Sequence, residues 1–489
     1  MDAMTEGDRE LRERRWALLA LTSVGAFMTP LDGSIVSVAL PRMGPLLNLS
    51  FAASLWVQAA YLLTIAVLLI PVGRLADQRG RVPFYLAGTV CFTLGSLMAA
   101  LSRNDVTLIL ARIVQGAGGA LLSATSAAIV TAAFPPEERG RALGLNVMAV
   151  YLGLSVGPPL GGLLVDRFGW PWIFLVNLPI GAVVFLWGWR LLPRRAVHPP
   201  RGSVARLDVA GAALLAVALA GLLVPLTFAA EWGWRALRTW GLLGLALLAM
   251  AAFITRERKA PAPLVDPGLL RRNRLFAAAN LAALLNYMAL YAIAILTAAE
   301  LQLVQGRSAR SAGWIMLGQP LMQAVLSPLA GRLSDRFGSR LLSTVGMLLT
   351  ALGMGLLALL GRRPEVFPIV AALAVVGVGL AAFSAPNTSA IMGSVSRDQL
   401  GMASAFVSTM RVTGQALSVA ILGGIAASHL GPGGWRLLLR AGGSPEAAAA
   451  FASGYAAAMA TGAGLALLGA WASLVRGPAR ERQAGTQGA

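Results

Sequence analysis

Gly73 to Arg81 reads GRLADQRGR, and Gly331 to Arg340 reads GRLSDRFGSR. Each stretch follows the second apolar run of a block of six such runs. A match at equivalent places in two blocks is the mark of an internal duplication. The chain therefore reads as two six-helix halves, and the rest of the sequence is organised around them.

The runs themselves set the class. Of the 489 residues 57% are apolar and 12% charged, with a mean hydropathy of +0.71. That charge content is about half of what a soluble domain carries. Apolar runs of roughly 20 residues, the length needed to cross a ~30 Å hydrocarbon core as helix, recur along the chain. Fourteen spans are expected: 16–40, 52–72, 82–102, 105–131, 142–164, 171–192, 208–230, 236–255, 275–299, 311–331, 341–361, 367–390, 401–427 and 451–475. They are too long, and too little alternating, for the strands of a membrane barrel. The expected organisation is an N-terminal segment (1–15), a first bundle (16–192), two linkers with an inserted helix pair (193–274), a second bundle (275–475) and a tail (476–489).

The net charge of +19 does not point to nucleic acid, because the basic residues fall in the breaks between spans and form no stripe on a compact domain. With the N-terminus in the cytoplasm, 27 of the 40 basic residues lie on that side and 11 on the other. The positive-inside rule then places both termini in the cytoplasm of a bacterial inner membrane. No secretory leader is read at the start, since the run from Trp16 to Leu40 is too long for one. Cys91 is the sole cysteine, and His198 and His429 sit in loops on opposite sides, so neither a disulfide nor a metal centre is expected. The sole lysine, Lys259, precedes Ala260 and Pro261, so the chain has no phosphate-binding loop of the G-x-x-x-x-G-K-[ST] type. Span interiors hold no cluster of catalytic groups. No enzyme and no cofactor is expected, and an ion gradient is the remaining energy source.

Four stretches carry a resemblance. Gly73, Asp77, Gly80 and Arg81 match the loop signature G-x-L-a-D-x-x-G-R, with Gly331, Asp335 and Arg340 in the second copy. LILARIVQGAGGA from Leu108 centres on Arg112, followed by Gln115. GLSVGPPLGG from Gly153 places Gly157, Pro158, Gly161 and Gly162 on a small-residue stripe with a proline break. TPLDGSIVSVALP from Thr29 holds Asp32, and WVQAAYLL at Trp56 and WPWIFLVNLPIG at Trp170 accompany it. Together they resemble motifs A, B and C of the major facilitator superfamily, and in particular its fourteen-span drug:proton antiporter branch. The resemblance covers nearly the whole chain and implies an all-α major facilitator fold, a motif A latch, and export through motif C. Ser34, Ser37 and Pro171 depart from the branch's usual residues.

Asp32 is the acid well inside a span, and Arg112 lies at similar depth in span 4. A charge in a span costs at least ~2.5–3.5 kcal/mol and so takes a partner or faces a cavity. Burial raises the pKa of such an acid and a nearby arginine lowers it, a balance suited to a proton carrier; a fixed structural pair is the alternative. Glu300, at the outer end of span 9, is read as interfacial, with a second acidic site as the alternative. Arg411 in span 13 is either a counterpart of Arg112 or a packing residue. Cavity candidates are Gln58, Tyr61, Gln115, Asn286, Tyr287, Tyr291, Gln319, Gln323, Asn387, Arg411 and Gln415. The expected partners are a small-molecule substrate, protons and the bilayer, around a monomer. Proton-coupled export of amphipathic drugs leads, with a lipid flippase and an uptake symporter as alternatives. Orientation is directly testable. A reporter active only in the periplasm should be silent when fused after Ala489, and activity there would overturn the span parity or the orientation.

Overall fold

The computed structural model describes residues 13–192, 208–260, 267–360, 365–396, 399–431, 433–439 and 444–475. Most of the N-terminal segment, the linker 193–207, part of the second linker (261–266) and the tail lie outside the described residues. The spans form α1 (Arg15–Leu46), α2 (Phe51–Arg79), α3 (Arg81–Ala100), α4 (Asp105–Ala133), α5 (Pro136–Phe168) and α6 (Trp172–Leu191). The inserted pair is α7 (Val209–Trp232) and α8 (Leu237–Glu257). The second bundle is α9 (Arg274–Val304), α10 in two pieces (Ala309–Met316 and Gly318–Phe337), α11 (Ser339–Leu360), α12 (Val366–Gly393), α13 (Leu400–Leu430) and α14 (Pro445–Val475).

Local chemistry sets the helix starts. Ser50 caps α2 by accepting from the Ala53 amide, and Asn104 and Thr107 form a reciprocal capping box at α4. Pro136 opens α5, where a missing N–H costs nothing. Large apolar side chains such as Leu237, Leu247, Leu248 and Phe367 are more than 70% exposed. In water such a surface would drive association; in a bilayer it is the lipid-facing wall.

The packing repeats between the bundles. In the first, α1 lies on α5, α4 lies between α2 and α3, and α6 packs on α3 and α1. In the second, α9 lies on α13, α12 lies between α10 and α11, and α14 packs on α11 and α9. The bundles meet along two related seams, α2 against α13 and α5 against the first piece of α10. The inserted pair joins from outside: α7 packs on both α2 and α13, and α8 packs on α7. Trp56 stacks with Phe228 at 6.2 Å, and Ile70 shares a small apolar cluster with Phe253. At the opposite end, Asp208 caps α7 through the Gly211 amide (2.8 Å) and accepts from Arg256 Nε (2.7 Å). Burial pushes the Asp208 carboxyl up, but the Gly211 amide and Arg256 outweigh it and hold it below the usual carboxylate range.

Among the described residues thirteen helices are each long and apolar enough to cross a membrane. The fourteenth span, expected over 311–331, is α10, in pieces of 8 and 20 residues that meet at Leu317, so the fourteen-span reading holds. One expectation is corrected: the second repeat stretch was expected after this span, yet most of it is the end of the longer piece. The same holds in the first half, where Gly73 to Arg79 are the last turns of α2. The tight turns are confined to Gly80 (φ 101) and Gly338 (φ 83), a backbone region that side-chain-bearing residues rarely adopt. Asp77 accepts from Arg81 Nε at 2.8 Å, and Arg81 also donates to the Ala128 carbonyl on α4 (2.9 Å). The side chain of Asp335 lies outside the described residues.

The GLSVGPPLGG stripe fixes how the seams close. A Cβ on Gly153 would sit 2.5 Å from the Phe27 carbonyl, and one on Gly161 would sit 2.8 Å from Ile35 Cγ1. At Gly157 it would overlap Ser34 Oγ, so three glycines at four-residue spacing lay α5 directly on α1. Gly162 points the other way, onto the backbone of Ala309 and Arg310, while Gly313 of α10 meets the Pro158 carbonyl. Gly157→Val should lower the melting temperature of the purified protein by several degrees, since overpacking costs about 1–3 kcal/mol. An unchanged melting temperature would show that α1 and α5 part freely.

Candidate functional site

Five helices of the first bundle deliver polar side chains to one point. Asp32 on α1 and Arg112 on α4 form an ion pair with both side chains fully buried. Arg112 is among the largest fully buried side chains in the chain. Its Nε donates to the Val57 carbonyl on α2 at 2.9 Å, and its Nη2 to Gln58 Oε1 at 3.3 Å. Its Nη1 serves both Asp32 Oδ2 and Gln115 Oε1. The second carboxylate oxygen, Asp32 Oδ1, accepts from Gln115 Nε2 (2.7 Å) and Asn177 Nδ2 (3.1 Å). Ser96 on α3 accepts from the same two amides. The guanidinium also lies 4.2 Å from the ring centre of Tyr61, close enough for a cation–π contact.

Glycines make this convergence possible. A Cβ on Gly95 would lie 2.5 Å from the Gln115 amide, and one on Gly116 would lie 2.7 Å from the Tyr61 carbonyl. The run of small residues after Arg112 thus lets α4 touch α3 and α2 closely enough for short polar side chains to reach the pair. Around Asp32, Gln58 Nε2 donates to the Gly33 carbonyl (2.6 Å) and the Tyr61 hydroxyl to the Thr29 carbonyl (3.3 Å).

One group reaches this site from the other bundle. The hydroxyl of Tyr291 on α9 lies where it would contact a Cβ on Gly33 at 3.0 Å, within electrostatic reach of Asp32 and Arg112. One turn earlier, Tyr287 interacts electrostatically with Arg411 and Tyr151. Tyr151 on α5 shares a hydrogen bond with Ser384 on α12 at 3.2 Å, across the two bundles. Tyr287, Tyr291, Gln319, Arg411 and Gln415 are all partly exposed although they lie within spans.

The other candidates separate from this group. Gln58 and Gln115 are fully buried and belong to the ion-pair network. Asn387 donates to the Ala279 carbonyl at 2.9 Å and so ties α12 to α9. Asn286 and Gln323 are buried. Glu300 is not interfacial: it is 2% exposed, at the start of a π-helical turn (Glu300–Val304). It lies within electrostatic reach of Tyr455 on α14, whose hydroxyl is 3.1 Å from that of Thr297. Asn177, Ser96 and Gln302 were not anticipated from the sequence. Asn177 lies within the WPWIFLVNLPIG stretch, where a polar residue amid apolar neighbours was the available signal. Gln302 donates to the Val38 carbonyl on α1 at 2.8 Å, adding to the closure between the bundles.

A buried pair of this kind responds unequally to its two halves being removed. Arg112→Met should destabilise the folded protein by about 3–5 kcal/mol, because it leaves the carboxylate without its cation. Adding Asp32→Asn should recover much of that loss in a denaturation series. Additive losses would show that the two residues do not act as a pair.

The sequence model of the Major Facilitator Superfamily matches residues 22–208 and 275–487. The chain is 31% identical over 419 residues to the riboflavin transporter RibZ of Clostridioides difficile, covering 86% of this chain and 90% of that one. It is 35% identical over 413 residues to the multidrug resistance protein Stp of Mycobacterium tuberculosis, covering 84% and 76%. In fold it is similar to a bacterial homologue of the human lysosomal transporter Spinster, in an inward-facing and unoccupied conformation. That match has a TM-score of 0.67 at 18% identity and covers 94% of this chain and 96% of that one. The chain is a multi-pass membrane transporter that belongs to the Major Facilitator Superfamily.

Proposed function

We propose that the protein exports small amphipathic molecules in exchange for protons, by alternating access, with Asp32 as the proton carrier. The observation that carries this reading is the complete enclosure of the Asp32–Arg112 pair near the middle of α1. In the ionised state both carboxylate oxygens are engaged, by Arg112 on one side and by Gln115 and Asn177 on the other. A proton on Asp32 removes the charge that Arg112 answers. The guanidinium then keeps the Val57 carbonyl, Gln58, Gln115 and the Tyr61 ring, so it is not abandoned in an apolar interior. What loosens is α1 against α4.

The glycine stripe carries that change outward. Because Gly153, Gly157 and Gly161 hold α5 on α1, the two helices move together, and the far side of α5 forms the seam with α10. In this conformation the bundles close at the face opposite the start of α1, through Gly162 on Ala309, the Arg310 amide on Asp166 (2.9 Å) and Gln302 on Val38. With the N-terminus cytoplasmic this is an inward-facing state. A substrate entering from the cytoplasm meets Tyr287 and Tyr291 first, and Tyr291 relays its arrival to Asp32. Deprotonation there and reprotonation from the acidic outer side would drive the cycle. Binding energy shifts the two-state balance only by its difference between the states.

The resemblance to drug exporters and the relative named for multidrug resistance support drugs as cargo. The relative named for riboflavin favours a second reading, in which the cargo is a metabolite. A panel of both kinds in proteoliposomes with an imposed pH gradient separates them. Substrate added to purified protein in weak buffer should release protons from the native form and none from Asp32→Asn. If Asp32→Asn still moves substrate uphill on the gradient, Asp32 is not the carrier.

A further inference from the structure

The charges within the spans are divided unevenly between the two bundles. Among the described residues the charges near the middle of the spans are Asp32, Arg112 and Arg411, and Glu300 lies four residues before the end of α9. Asp32 and Arg112 neutralise each other. Glu300 lies beside Tyr455, thirteen residues along α9 from Tyr287, or roughly 20 Å of helix rise, so it is remote from Arg411. Arg411 stands eleven residues into α13, roughly 16 Å from its start, partly exposed and with no carboxylate partner among the described residues.

An unanswered guanidinium at that depth must face a water-filled space or an anion. Its surroundings supply donors. Gly414 and Ser418 share its helix face: a Cβ on Gly414 would lie 2.9 Å from Tyr287 Cβ, and Ser418 Oγ accepts from the Ala292 amide at 3.0 Å. That face is therefore laid along α9, where the Tyr287 phenol lies within electrostatic reach of Arg411 and of Tyr151. Tyr287, on the helix that packs against this face, is thus the link between the guanidinium of Arg411 on α13 and the phenol of Tyr151 on α5, which itself bonds Ser384.

We propose that Arg411 is the anion-binding subsite of the transport cavity, and that it selects amphipathic substrates carrying a negative group such as a carboxylate or an ionised phenol. The proposal rests on the transport reading but not on proton coupling. The guanidinium offers the anion paired N–H donors, and Tyr287 and Tyr151 take the apolar ring system beside it. Cationic amphiphiles are repelled by the same charge. Tyr287, within electrostatic reach of Arg411, and Tyr291, within reach of the enclosed Asp32, are one turn apart on α9.

The single native cysteine makes the test direct. In a Cys91→Ser background, Gln415→Cys places a thiol one turn from Arg411 on the same face. Its labelling by anionic sulfonatoethyl methanethiosulfonate and cationic trimethylammonioethyl methanethiosulfonate is compared, each rate normalised to a free thiol. The anionic reagent should be favoured several-fold with Arg411 or Arg411→Lys, and the preference should collapse with Arg411→Gln. If Arg411→Gln does not accumulate, raising salt from about 0.01 M to about 1 M with Arg411 intact should flatten the ratio through screening. Fluorescein, an anionic xanthene, should protect the thiol, and cationic rhodamine 6G should not. No labelling, a cation preference, or a ratio indifferent to both Arg411→Gln and salt overturns the subsite. Protection by rhodamine 6G, by neither dye, or by phosphatidylglycerol nanodiscs in place of fluorescein overturns the substrate class. The readout compares labelling with and without the Arg411 charge and needs no gradient, so its outcome is separate from that of proton coupling.

Discussion

The arrangement of the first bundle follows from the cost of placing Asp32 and Arg112 away from water. Neither side chain has any exposure, and an isolated charge there would cost several kcal/mol after relaxation. The pair is tolerable because five helices contribute to it: α1 and α4 the charges, α2 the Val57 carbonyl and Gln58, α3 Ser96, and α6 Asn177. Each of these contacts needs close helix approach, and Gly95 and Gly116 supply it. The ion pair and the glycines are thus one device. The glycines alone would leave a seam without orientation, and the charges alone would find no donors within reach.

The same small residues explain why a rigid cluster can take part in movement. On α5 the stripe of Gly153, Gly157 and Gly161 is turned to α1, within the bundle, whereas Gly162 is turned to α10, across bundles. The first seam carries Ser34 Oγ donating to the Gly153 carbonyl at 3.3 Å and is polar as well as tight. The second seam is backbone against backbone, with few side chains to unlock. A helix glued on one side and merely abutting on the other will move with its glued neighbour. Pro158 and Pro159 remove backbone donors at the point where the two faces of α5 diverge, which softens the helix there.

Much of this was legible in the sequence, and the gaps have physical causes. The spans, the duplication and the inserted pair follow from apolar length and repetition, which depend on composition more than on contacts. Asp32 and Arg112 stood out because a charge inside an apolar run is rare. Asn177 and Ser96 did not, because short polar side chains occur in many spans and only three-dimensional convergence marks these two. The extent of α2 through Gly73 to Arg79 was missed because polar residues were taken as the end of helix, whereas α2 continues past the apolar layer. Glu300 was misplaced for the opposite reason. A helix that continues as a π turn to Val304 carries its outer residues into the bundle rather than out to the interface.

The two bundles share a packing plan but not a charge plan, and that difference bears on how one substrate site can serve a two-state transporter. α1 and α9 occupy equivalent places, yet α1 holds an acid answered within its own bundle and α9 holds two tyrosines that face the other charges. A symmetric pair of self-neutralised sites would leave the cavity between the bundles without electrostatic preference. Here Tyr291 approaches a neutral pair and Tyr287 an unanswered cation, four residues apart on one helix. Any ligand large enough to touch both feels a gradient of charge along α9. Protonating Asp32 would steepen that gradient, because it turns the neutral pair into a second cation enclosed behind Tyr61. The state of the proton would then be read by the cavity through α9, without either bundle having to unfold its buried network.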